Sequence, residues 1–245
     1  MDSNSRSTGI YLVGIIIMFG ILIVLGSQFL ARRNDPVNIP LNLAKPTFTI
    51  NVEKTYIAKI ITNQGDITVE LCSKCAPQNV NNFVYLSNKD YYKATKFHRI
   101  VKDLLIQGGD RNTLAADTSS YGKGKTTYLI DDEINWDYLN FPDEKRNALT
   151  SQGYKSNTSV ISKNLQKYSL AMANDGPNTN SSQFFIVTGE NIDSRISDLN
   201  GFYTVIGDVK SGFETLEKIN AITTVENSNL PTSDVVIQKI EITEL

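Results

Sequence analysis

The 245-residue chain holds one histidine, one tryptophan and two cysteines. A single histidine excludes a His-rich zinc site, and two cysteines are too few for a small domain held together by a disulfide framework. Positive charge is not in excess either. Lys and Arg number 24 against 26 Asp and Glu, for a formal net charge of -2 at pH 7. That balance excludes a nucleic-acid binder working through a broad basic face. There is no internal repeat and no low-complexity tract. Hydrophobic residues make up 40% of the chain, concentrated near its start. The remainder is lean but sufficient for one core, because a domain near 200 residues buries about 70% of its unfolded surface.

Charge is also missing locally. No Asp, Glu, Lys or Arg occurs between Arg6 and Arg32, and 16 of the 21 residues Ile10–Leu30 are apolar. At about 1.5 Å per residue a helix of that length spans roughly 30 Å, the hydrocarbon thickness of a bilayer. The apolar region of a cleaved signal peptide is shorter, about 7–15 residues, and Leu25-Gly26-Ser27-Gln28 is a poor small-x-small cleavage site. No cysteine follows the run, which excludes a lipoprotein-type anchor. The expectation is a tail over 1–9, an uncleaved transmembrane anchor over 10–30 engaging the lipid bilayer, and an extended linker over 31–50 carrying Pro36, Pro40 and Pro46. One soluble domain then fills 51–245. Arg6 on one flank and Arg32 and Arg33 on the other leave the orientation undecided.

Within that domain, Tyr56–Ile61 and Ile67–Leu71 are β-branched runs around Asn63-Gln64-Gly65-Asp66, a hairpin signal. Ala76-Pro77 followed by Val80, Phe83 and Val84 predicts a helix over about 76–88, with proline in its first turn. Strand-like runs follow at Lys96–Val101, Leu104–Gln107, Tyr168–Ala173, Gln183–Thr188, Thr204–Val209 and Val235–Ile240, with a second helix at Gly212–Ile219. Many short strands with two helices suggest a closed antiparallel barrel with helical caps. Residues 111–167 break the pattern as a long polar excursion. They form either a functional loop or a segment with its own helix, for which Pro142 to Ser151 is the candidate.

Three segments carry candidate chemistry: FHRI at 97–100 with QGGD at 107–110, the run from Met172 to Ile186, and Leu199 to Gly207. An arginine, two amides and several large apolar groups suit a groove that grips a peptide backbone and one apolar side chain. Gly108-Gly109 is not a phosphate loop, since no lysine follows in register. His98 reads as a packed strand residue rather than a base, and Phe184 and Phe185 alternate so that only Phe185 faces the groove. Cys72-Ser73-Lys74-Cys75 has the spacing of a redox pair or half a zinc site. Without partner ligands or a thioredoxin-like setting, a structural disulfide outside the cytoplasm is preferred.

FHRIVKDLLIQGGD and SLAMANDGPNTNSSQFFIVT, in that order, closely resemble the cyclophilin-type peptidyl-prolyl isomerases, over roughly Tyr56 to Ile240 and interrupted by the excursion. The resemblance implies a mainly β fold, a closed eight-stranded antiparallel β-barrel capped by two α-helices. It also implies action on proline-containing peptides and unfolded proteins without metal or organic cofactor. Arg99 matches the catalytic arginine and Gln107 the amide that holds it. Ala173 and Asn174 match the segment pairing with peptide on the N-terminal side of proline, and Gln183 a second groove amide. Phe185 matches the floor of the proline pocket, and Leu105 and Leu199 its walls. Leu104 stands where phenylalanine is usual. Tyr203 stands where many members have histidine, which resembles prokaryotic members. Asp198 replaces a tryptophan tied to cyclosporin binding, and Ile206 a frequent phenylalanine.

The expected protein is thus a monomeric, membrane-tethered prolyl isomerase, its domain exported across the membrane to assist folding there. The alternative is a tethered proline-peptide binding module with little catalysis, favoured by Leu104.

Overall fold

The Asn63-Gln64 turn closes a hairpin between β1 (Tyr56–Thr62) and β2 (Gly65–Leu71), with Thr62 facing Gly65 across the ladder. In the computed structural model, which describes residues 43–245, this hairpin is part of one eight-stranded antiparallel sheet. Its other strands are β3 (Arg99–Val101), β4 (Leu105–Gly108), β5 (Ser169–Met172), β6 (Phe184–Val187), β7 (Val205–Ser211) and β8 (Ile237–Glu244). The spatial order is β3-β4-β6-β5-β7-β2-β1-β8. The expected closed barrel is corrected to a curled half-barrel: β3 and β8, at the two edges, share no ladder. A single bridge, Lys96 with Val236, joins the edges, supported by backbone bonds from Phe97 N to Val235 O (2.9 Å) and from Ile237 N to Thr95 O (2.7 Å). The transmembrane anchor expected over 10–30 lies outside the described residues, as does most of the 31–50 linker. Among the described residues no helix is long and apolar enough to cross a membrane.

Side-chain alternation divides the sheet into two apolar layers, because successive residues of a strand point to opposite faces. Ile100, Ile106, Leu170, Met172, Phe184, Ile186 and Ile206 face inward, into the main core. Leu105, Ala171, Phe185, Val187 and Val205, their immediate neighbours, form a separate cluster on the outer face. Helix α1 (Pro77–Asn88) lays Val80, Phe83, Val84 and Leu86 on the main core. Phe184 stands edge-on to Phe83, Tyr92 and Phe97 there, at centroid distances of 5.5–5.9 Å.

Ala76 gives α1 no side-chain cap. The carboxylate of Glu133, buried in the excursion, takes that role and accepts from Gln78 N (3.0 Å) and Asn79 N (2.9 Å). The first-turn amides of a helix need such an acceptor, and a negative charge suits that end. Cys72 and Cys75 form a disulfide in the turn leading into α1. Residues 43–50, the described part of the expected linker, pack on the domain: Ile50 is in the core and Leu43 lies against it.

The excursion is not structureless. It contains two short 3-10 turns, Arg111–Leu114 and Thr118–Ser120, and helix α2 (Asp143–Ser151). Its own core is built from Ile134, Trp136, Phe141, Leu149 and Tyr154. Helix α3 (Ser194–Leu199) and helix α4 (Phe213–Asn220) complete the chain. Gly212, at φ 88°, precedes α4 where an added Cβ would meet Asp66 O at 2.2 Å, so only glycine fits.

Candidate active site

The site begins as one row of cross-strand neighbours on the outer face of the sheet. Arg99 pairs with Gln107, Gln107 with Phe185, Phe185 with Ala171, and Ala171 with Val205. Register alone therefore aligns a cation, an amide and an aromatic floor across three strands, and the row runs on over two more through Ala171 and Val205. Gly109, at φ 85°, lets the chain leave β4 where an added Cβ would stand 2.6 Å from Ser182 O.

A chain of amides runs behind the row. Arg99 Nη1 donates to Gln107 Oε1 at 3.0 Å, and Gln107 Nε2 donates to Gln183 Oε1 at 3.0 Å. Gln183 Nε2 donates in turn to the carbonyls of Gly122 (3.0 Å) and Gly124 (2.7 Å). A carbonyl can only accept, so these two oxygens determine which way round both glutamines sit. The Arg99 guanidinium is thus held by a neutral amide oxygen rather than a carboxylate. Gly122 and Gly124 were missed in the sequence reading. They are set by the buried carboxylate of Asp110, which accepts from the backbone amides of Gly122, Gly124 and Asn112. An added Cβ at Gly124 would lie 2.0 Å from Asp110 Oδ1. The one available signal was the pair of glycines within a polar tract, which often marks close backbone approach.

Arg99, Leu104, Leu105, Gln107, Ala173, Asn174, Phe185, Leu199 and Tyr203 together line a cavity of about 210 Å³. The structure thus brings nine of the ten groove residues named from sequence to one pocket. The tenth, Gln183, sits behind it on Gln107. The volume is below the usual 300–1,000 Å³ of drug-sized ligand sites and suits a single side chain. Phe185, 2% exposed, forms the floor, and the Tyr203 ring meets it edge-on at 5.2 Å. Asn174 Nδ2 donates to Phe202 O at 2.8 Å, tying together the two loops on either side of the opening. Two further cavities meet this one at Gln107: a small one of about 40 Å³ beside Lys125 and Thr179, and an open one of about 510 Å³ beside Tyr121 and Asn229.

His98 is buried, and burial lowers its pKa, so the ring is neutral at neutral pH. The ring lies beside the Lys96 backbone and the Gln183 side chain, and it does not line the 210 Å³ cavity. Ile206 is in the main core and fully buried, away from the pocket. Nearby, burial raises the pKa of Asp132 to about 6. Its carboxylate accepts from Asn178 N (2.7 Å) and Asn180 Nδ2 (3.1 Å), on the loop that carries Asn174.

A row of this kind offers no nucleophile poised by a base. What it offers is a fixed cationic donor above a small apolar pocket. Known proteins similar to this chain point to one family. Residues 57–242 match the family model for cyclophilin type peptidyl-prolyl cis-trans isomerase. The peptidyl-prolyl cis-trans isomerase cypE of Dictyostelium discoideum is 36% identical over 179 residues, covering 73% of this chain and 92% of that protein. The peptidyl-prolyl cis-trans isomerase-like 2 of Rhizopus delemar is 34% identical over 190 residues, 78% of this chain but 29% of that much longer protein. A crystal structure of a Cryptosporidium parvum cyclophilin type peptidyl-prolyl cis-trans isomerase, in the presence of the dipeptide ala-pro, superposes with a TM-score of 0.57. It has 33% identity and covers 76% of this chain and 98% of that one.

Proposed function

The chain belongs to the cyclophilin-type peptidyl-prolyl cis-trans isomerase family, and from that premise we propose that its groove isomerises X–Pro bonds with Arg99 as the catalytic group. An X–Pro amide rotates over a barrier of about 18–20 kcal/mol because resonance gives its C–N bond double-bond character, and uncatalysed exchange takes tens to hundreds of seconds. Twisting the bond returns the lone pair to the prolyl nitrogen. A guanidinium donor aimed there stabilises the twisted amide more than the planar one, which is catalysis by differential binding. Arginine suits the task because it stays charged and holds its donors in a rigid fork. Gln107 orients that fork, and Leu104, Leu105, Phe185, Leu199 and Tyr203 hold the proline ring. Ala173 and Asn174 take the peptide on the N-terminal side of proline.

The observation that carries this reading is the Arg99–Gln107–Gln183 chain standing at the rim of a pocket sized for one side chain. The ala-pro dipeptide present with the Cryptosporidium parvum relative supports proline peptides as the ligand class. We read the domain as monomeric and tethered to the bilayer through 10–30. Export is supported by the Cys72–Cys75 disulfide, a bonding state that persists outside reducing compartments. Tyr203 in place of histidine supports a likeness to prokaryotic members. The deciding experiment is cis/trans exchange of an X–Pro peptide with the full chain. Exchange above background that falls in Arg99→Ala supports the enzyme. Peptide binding with no exchange, unchanged in Arg99→Ala, leaves the binding module.

A further inference from the structure

The excursion core touches the pocket without lining it. Every buried residue of that core comes from the excursion itself, and Phe202, half-buried, is the one contributor from outside it, on the loop between Leu199 and Tyr203. Tyr154 stands edge-on to Phe202 at 5.1 Å. Next to it Gly201, at φ 95°, has no Cβ, and an added one would lie 2.6 Å from Leu149 Cδ1 and 3.0 Å from Phe141 Cε2. Leu149, 1% exposed, is therefore pressed against the backbone of the loop between Leu199 and Tyr203. Lys145 Nζ, one turn earlier on α2, donates to Ser197 O at 3.1 Å, on the helix that ends at Leu199. On the opposite wall, a Cβ added at Gly153 would stand 3.4 Å from Pro177 Cγ, in van der Waals contact, on the loop beginning at Asn174. The two loops are joined by the Asn174 Nδ2 to Phe202 O bond.

We propose that the excursion is a splint for the proline pocket, with Leu149 and Tyr154 as positioning residues that act through Gly201 and Phe202 on Leu199, Tyr203 and Asn174. The inference rests on the reading of the groove as an isomerase site. Close-packed interiors transmit small shifts because their contacts leave no slack. Truncating Leu149 opens space directly behind the loop and lets Leu199 and Tyr203 draw back from the ring they hold. Those apolar walls contact the proline in the planar and twisted states alike, so their displacement weakens uniform binding and raises KM more than it lowers kcat.

The test uses the full chain with Leu149→Ala, Leu149→Met and Tyr154→Leu, and Ile240→Ala in the main core as a stability control. Each is measured for thermal unfolding, for affinity towards an Ala-Pro peptide, and for kcat and KM of X–Pro exchange. The expected result is a roughly fivefold or greater rise in KM and in peptide Kd for Leu149→Ala and Tyr154→Leu. Their kcat stays within about threefold, Leu149→Met recovers most of the loss, and Ile240→Ala shows no change in KM at a comparable drop in Tm. Wild-type KM and Kd in both splint variants, or an equal rise in Ile240→Ala, overturns the splint. Should Leu149→Ala fail to fold, Tyr154→Leu decides alone. A wild-type chain that shows no exchange refutes the isomerase reading instead, and the Kd values alone then decide the splint.

Discussion

Arg99 and Gln107 stand directly opposite each other on β3 and β4, and Arg99 Nη1 donates to Gln107 Oε1 at 3.0 Å. Sheet register therefore sets the distance between the cation and the amide that aims it, and Gln183 with the Gly122 and Gly124 carbonyls sets the orientation of that amide. The guanidinium is held from behind by two glutamines in series, the second fixed by two backbone carbonyls.

This series makes the two residues act as a unit. A hydrogen bond to a charged group contributes about 1.5–3 kcal/mol, and each 1.36 kcal/mol is about tenfold in rate. Arg99→Ala is expected to lower kcat/KM by roughly 10–100-fold. Gln107→Ala should cost less, since the arginine keeps its charge and loses its aim. The double variant should fall little below Arg99→Ala, because coupled residues are not additive. Exchange kinetics on all three, with peptide affinity in parallel, make the check. A double variant showing the full sum of the two losses would separate the residues.

Leu104 lines the pocket as a half-buried aliphatic group beside Phe185 and Tyr203. Leu104→Phe adds a flat ring at the rim, where the open side of the cavity gives it room. Offset or edge-on aromatic contact contributes about 0.5–1.5 kcal/mol beyond area burial. A rise in kcat/KM of roughly two- to tenfold is expected, read from exchange at low peptide concentration. A fall would mean that the ring fills the space the proline needs.

Asp132 gives the groove loop a pH dependence. Its folded pKa is raised to about 6, chiefly by burial, against about 3.9 in an unfolded chain. Between those values the folded protein binds more protons than the unfolded one, so stability falls as pH rises. The contribution is complete below about pH 4 and lost above about pH 6. Asp132→Asn removes the titration. The difference in Tm between wild type and Asp132→Asn should therefore shift in favour of wild type on going from pH 7 to pH 5, at constant ionic strength. Parallel Tm curves would place the titration elsewhere.

The Cys72–Cys75 disulfide closes a very short loop before α1, and none of the pocket-lining residues comes from it. For a four-residue loop the chain-entropy estimate is about 2 kcal/mol. The Cys72→Ser, Cys75→Ser double variant is expected to lose about that much stability in denaturant unfolding and to retain wild-type kcat/KM. A large loss of exchange activity would tie the turn to the groove through Glu133 and α1.

Much of this was legible in the chain because the decisive signals are local. The Asn63-Gln64-Gly65 turn, Pro77 at the start of α1, and the alternation of Phe184 with Phe185 each follow from backbone sterics or a period of two. The FHRI and QGGD segments are short enough that hairpin register carries Arg99 to Gln107 without help from the rest of the fold. Other features depended on contacts between segments far apart in sequence and weak in pattern. The Glu133 carboxylate on the α1 amides, the Gly122 and Gly124 carbonyls on Gln183, and Leu149 against Gly201 all bring the polar excursion onto the sheet. No periodicity announces them. A lone carboxylate, glycine or leucine in a polar stretch acquires its role only when chain folding removes it from water and leaves one partner within reach. The sheet's edges follow the same logic: strand propensity specified eight strands, but which edges meet, and by only a single bridge at Lys96 and Val236, was decided by how the packed core curls them together.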